Sequence, residues 1–132
     1  MIIGIGIDVV RIWRIEKILE RYGDRFLNRV FTWGEQEYCS QSTNPLERYA
    51  GSFAAKEASF KALGRGWDEC DGFTSVEVCH SETKRPSISL HKMAKIFAET
   101  MNVRNIFVSI THDVGIASAV VLLDGEEIIL TK

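Results

Sequence analysis

The chain has 132 residues, 45% of them apolar and 26% charged, with a formal net charge of -2. That length allows one domain, residues 1–132, able to withdraw roughly two thirds of its unfolded surface from water, and the composition of a globular protein excludes disorder. The small net charge identifies no partner, and no apolar run reaches membrane-spanning length.

In chain order, IIGIGIDVV alternates, with Ile3, Ile5, Ile7 and Val9 on one face and Gly4, Gly6 and Asp8 on the other. This predicts a strand with one bulky and one nearly empty side. From Arg11 to about Tyr22 the period becomes helical: Ile12, Ile15, Ile18 and Leu19 share one side, and Arg14, Lys17 and Arg21 the opposite one. Thr32 followed three residues later by Glu35 predicts a capping box and a short helix. Asn44-Pro45 breaks the chain, and the main helix is expected from about Leu46 to Leu63, stopped by Gly64. Gly64, Gly66 and Gly72 mark a loop, and Ser75 to Cys79 reads as a strand. Leu90, Met93, Ala94, Phe97 and Met101 form the stripe of a later helix. Two long strands, Asn105 to Thr111 and Ile116 to Leu123, follow, joined around Asp113-Val114-Gly115, and the tail GEEIILTK offers a short edge strand. Without a regular βαβ alternation the expected class is α+β, a mixed sheet against a long buried helix.

Cys39, Cys70 and Cys79 are odd in number and lack C-x-x-C spacing, so neither a disulfide framework nor a zinc site is expected, and a reducing cytoplasm fits. The N-terminal segment is interrupted by Asp8 and lacks a basic leader or cleavage site, so it reads as no targeting signal.

The segment SFAAKEASFKALG carries charge through an apolar helix. On a helical wheel Glu57 falls in the arc of Ala50, Phe53, Phe60 and Gly64, which is expected to face protein. Glu57 and Lys61, four apart, could be a surface pair, but a buried carboxylate needs a cation, a metal or several donors. Asp8 poses the same question on the glycine face of the first strand. It either caps the helix after Arg11 or, with Glu57, offers hard oxygens to one Mg²⁺ that keeps waters and binds substrate phosphate. VSITHD ends a strand with Thr111 and His112, and His112 by itself reads as a histidine closing a core-facing row.

Taken together, GIGIDVVRIWRI, FAAKEASFKALGRG and VSITHD, in that order and spacing, make the chain resemble the short 4'-phosphopantetheinyl transferases of the holo-[acyl-carrier-protein] synthase type over nearly its full length. The resemblance implies transfer of phosphopantetheine from coenzyme A to a serine of apo acyl carrier protein, in support of fatty acid biosynthesis, with Mg²⁺ as cofactor in a homotrimer whose sites lie between subunits. It places the metal carboxylates on Asp8 and Glu57, catalysis on Asp8, Glu57 and Lys61, and contacts to coenzyme A on Lys56, Lys61, Gly64, Pro86, Thr111 and His112. Such chemistry needs charge neutralisation and alignment more than covalent help. The base that deprotonates the carrier serine stays open between a carboxylate, Glu57 foremost, and a metal-bound water.

Arg14, Lys17, Arg21, Arg25 and Arg29 would then face an acidic carrier protein. Nucleic acid is disfavoured by the shortness of the patch and a pI near 5.9. Three positions depart from the family pattern: Ser52 stands where many relatives have Arg, Lys84-Arg85-Pro86 replaces a more usual Gly-Lys-Pro, and Trp67 follows a loop of small residues. The competing reading is a non-catalytic module binding coenzyme A or a nucleotide on the same fold.

Overall fold

A computed structural model describes residues 1–127. The alternating N-terminal segment is strand β1, Ile2–Arg11. The two terminal apolar segments of the described chain are β4, Val103–Asp113, and β5, Ile116–Gly125. These three form one antiparallel sheet in the order β1-β5-β4. A second antiparallel pair joins β2, Val76–His80, to β3, Pro86–Leu90. The α+β class therefore holds, but among the described residues every pairing is antiparallel where a mixed sheet was expected.

Helices fill the connections: α1 Ile12–Tyr22, α2 Asp24–Val30, α3 Trp33–Ser40, α4 Pro45–Leu63 and α5 Lys92–Thr100. The Thr32 and Glu35 capping box forms as read. Gly64 ends α4 in the left-handed conformation that favours glycine. Helix α2 and strand β3 were not anticipated. The first is only seven residues long, and the second contains Leu90, which the helical stripe had claimed. Gly125 ends β5, while most of the proposed edge strand lies outside the described residues.

Helix α4 lies across one face of the three-stranded sheet, and its small residues make this possible. Ala50, Ala54, Ala55, Ala58 and Ala62 are all buried. On β1 the empty face meets α4 backbone to backbone: a Cβ at Gly4 would collide with the Ala62 carbonyl oxygen and one at Gly6 with that of Ala58. The absence of side chains on that face is thus what seats the helix. Among the described residues the other face of the sheet is left uncovered. Ile5, Leu122 and Phe107 share one row across the three strands, and Ile7, Val120 and Ser109 the next. Ile5, Ile7, Val9 and Phe107 are each about 60% exposed, an apolar surface too large for scattered solvent-facing residues.

Candidate active site

Asp8 occupies the helix-facing row of the sheet beside Ala119 and Ile110. It does not cap α1: that helix begins at Ile12, behind Arg11, with no side-chain cap. Instead the Asp8 carboxylate accepts a hydrogen bond from Lys61 Nζ at 3.0 Å, and the same ammonium donates to the Ile7 carbonyl at 3.0 Å. The Glu57–Lys61 surface pair that the spacing offered, and burial argued against, gives way to this link between α4 and β1.

Glu57 is half-buried rather than enclosed, at the edge of an otherwise sunken helix. Asp8, Arg14, Phe53 and Glu57 line one shallow hollow with the apolar side of α1, and Glu57 also lines an adjoining one with Lys61, Gly64 and Trp67. Burial pushes the Glu57 carboxyl above its ordinary range, the negative charge of Asp8 pushes the same way, and Lys61 opposes both. A carboxyl whose ionisation is made costlier by a carboxylate beside it forms a site that a cation would relieve. Their donor set fits Mg²⁺, which takes one or two protein carboxylates and keeps its remaining places for water and phosphate oxygens. Among the described residues no group of three or more His, Cys, Asp or Glu is arranged to hold a metal, so a closed all-protein cage is not on offer.

Lys56 corrects an expectation. The resemblance assigned it to phosphate, but its side chain is fully buried. Its ammonium donates to both oxygens of Glu35, at 2.7 and 3.0 Å, and to the Val76 carbonyl. Helical geometry explains this: one residue from Glu57 is a turn of about 100°, enough to take the side chain from the open edge to the core. Burial draws its pKa down while Glu35 holds it up.

The remaining expected residues collect elsewhere. His112 Nδ1 meets Glu47 Oε2 at 3.0 Å near the start of α4. A hollow there is lined by Tyr38, Arg48, His80, Lys84, Pro86 and His112, among others. Glu47 and Glu57 are ten residues apart on α4, about 15 Å along its axis, so one chain does not bring His112 and Pro86 to the carboxylates. Thr111 lies in the outer row with Val9 and Ser118, on the sheet face opposite to that of His112. Arg14, Lys17, Arg21, Arg25 and Arg29 are exposed on α1 and α2.

The departures find local reasons. Lys84 adopts a positive φ of 61°, where glycine would be unstrained. Trp67 stacks on Phe73 at 5.3 Å between ring centres. Ser52 is buried and faces Cys39, whose thiol burial pushes up to about 12. Sequence reading missed Glu35 and Glu47 as partners. The first was visible only as a helix cap, and the second had no signal beyond lying in a first helical turn.

Comparison with known proteins decides the family. The family model of the 4'-phosphopantetheinyl transferase superfamily matches residues 4–117. The chain belongs to that superfamily. It is 43% identical over 125 residues to the holo-[acyl-carrier-protein] synthase of Solibacter usitatus, covering 95% of this chain and all of that one. It is 45% identical to the synthase of Gloeobacter violaceus, with 92% of each covered. Among solved transferases, the Helicobacter pylori synthase in complex with coenzyme A is similar with a TM-score of 0.80 and 36% identity, covering 91% of this chain and 99% of that one. The Neisseria meningitidis synthase gives a TM-score of 0.86 at 27% identity, with 94% and 99% covered. Among the described residues of this superfamily member no helix is long and apolar enough to cross a membrane.

Proposed function

We infer that this chain, read as one domain over residues 1–132, is an enzyme that transfers 4'-phosphopantetheine from coenzyme A to a serine of apo acyl carrier protein. The products are holo carrier protein and adenosine 3',5'-bisphosphate, and the usual role is in fatty acid synthesis. Full-length identity to synthases and likeness to a coenzyme A complex support the activity. The observation that carries the residue assignment is the neighbouring pair Asp8 and Glu57, whose mutual repulsion and oxygen chemistry suit a divalent cation. Mg²⁺ held there would neutralise pyrophosphate charge and align it for displacement. Lys61 holds Asp8 in place and, half-exposed, is free to turn toward a phosphate. Glu57, with its raised pKa and open edge, is the protein group best placed to take the serine proton. Arg14, lining the carboxylate hollow from α1, connects that hollow to the exposed basic surface that would steer an acidic carrier. The free cysteines support a reducing cytoplasm as the working compartment.

Two observations support a homotrimer with shared sites. The uncovered face carrying Ile5, Ile7, Val9 and Phe107 calls for burial. The His112 and Pro86 hollow and the Asp8 and Glu57 pair lie apart in one chain, so a neighbouring copy would supply the missing half. A closed ring satisfies both. Incubating apo carrier protein with the enzyme, coenzyme A and Mg²⁺ and weighing the carrier intact tests the activity: it gains the phosphopantetheine mass, whereas no gain would leave a coenzyme A binder. Mixing inactive Glu57→Ala and His112→Ala subunits tests the sharing. Restored activity is expected, and mixed assemblies that form and remain inactive would contradict it.

A further inference from the structure

A fully buried lysine and a fully buried glutamate, Lys56 and Glu35, lie outside the chemistry described above. Every oxygen of this carboxylate is occupied. Oε1 accepts from the Thr32 backbone N–H at 2.8 Å and from Lys56, and Oε2 accepts from the Val78 N–H at 2.8 Å and from Lys56. Lys56 spends its third donor on the Val76 carbonyl. One point therefore ties α3, α4 and β2 together in fixed directions, and its α4 member is the residue immediately before Glu57.

Along β1, the strand that carries Asp8, the α4 contact sets rotation weakly, because at Gly4 and Gly6 it is helix backbone against glycine with no interlocked side chains. A hydrogen-bonded ion pair is directional where alanine contact is not. A rotation of α4 also moves Glu57 relative to Asp8, because Asp8 belongs to the sheet and Glu57 to the helix.

We propose that Glu35 and Lys56 are positioning residues: their buried pair locks the rotation of α4 and so aims Glu57 at the cation shared with Asp8. The inference rests on the reading of Asp8 and Glu57 as cation ligands. It assigns Glu35, which lines neither of the hollows at Glu57, a role in the reaction rather than in stability alone.

The test measures binding of Mn²⁺ alone, followed by the paramagnetic resonance signal of the free ion, well below each protein's melting temperature. In Glu35→Gln/Lys56→Met both charges are removed with little change in volume, so no buried charge is left without a partner. Its Mn²⁺ dissociation constant is expected to rise about tenfold, the low end of the losses seen when groups supporting metal ligands are removed. Glu35→Asp keeps the charges but shortens the link by one methylene, and a severalfold rise is expected there. A purely structural pair would lower the melting temperature and leave the affinity of the folded protein unchanged. Unchanged Mn²⁺ affinity in whichever variant folds cooperatively overturns the inference. Wild-type protein that binds no Mn²⁺, or binds it equally after Glu57→Ala, overturns the cation reading and this inference with it.

Discussion

Helix α4 carries two lysines five residues apart, and each pairs with a carboxylate, yet the two pairs differ in every physical respect. Lys56–Glu35 is sealed from water, with each oxygen of the acid satisfied. Lys61–Asp8 lies at an edge where the lysine is 54% exposed and Asp8 17%. A sealed pair has no cheap alternative to its partner, whereas a solvated lysine can exchange a carboxylate for a phosphate at little cost. The first is therefore suited to hold geometry and the second to meet charge that arrives with a substrate.

The largest expected effect comes from breaking the sealed pair by halves. Lys56→Met leaves the Glu35 charge buried without its cation and is expected to cost about 3–5 kcal/mol of stability, read by urea denaturation. A loss below 1 kcal/mol would mean that Glu35 reaches solvent or another cation, and the contrast between the pairs would vanish.

A smaller effect is expected at the exposed charges proposed to draw the carrier toward the open pair. Lys17→Glu or Arg21→Glu should raise the apparent KM for carrier protein severalfold and flatten its dependence on salt, with turnover at saturation little changed. Salt dependence identical to wild type would return this surface to an ordinary solvated helix face.

How far this contrast was legible in the sequence depends on direction. The glycine face that carries Asp8 and the capping box could be placed because period and spacing report which residues share a face, whereas the roles expected of Asp8, Glu57 and Lys61 came from the family resemblance. The fate of Lys56 could not, since its partners Glu35 and Val76 are 21 and 20 residues away in sequence and no local pattern encodes a contact at that range. The same limit hid the pairing of His112 with Glu47. The glycine face of β1 was visible as empty, but that it receives the α4 backbone, while Ile5 and Ile7 stay exposed, is a tertiary outcome.

The smallest effect concerns the cost of keeping the open site charged. The Glu57 carboxyl is raised by burial and by Asp8. A carboxyl whose folded pKa lies above its unfolded value contributes stability at low pH that is lost as pH rises through the folded pKa. Without divalent cations, Glu57→Gln should therefore raise Tm at pH 7 by roughly 2 °C, and the gain should shrink as pH falls through the raised folded pKa and be gone below the ordinary glutamate range. A variant less stable than wild type at pH 7 would mean that the Glu57 charge is already compensated.

The most direct measurement is turnover of Asp8→Asn and Glu57→Gln across a Mg²⁺ titration, read by the intact mass of the carrier protein. Both substitutions preserve shape and remove one negative charge. Each folded variant is expected to lose at least about 100-fold in turnover, the scale of losing one preorganised charge-stabilising group. Near-wild-type turnover in either, at wild-type Mg²⁺ requirement, would contradict the assignment of Asp8 and Glu57 as the carboxylates that hold the cation.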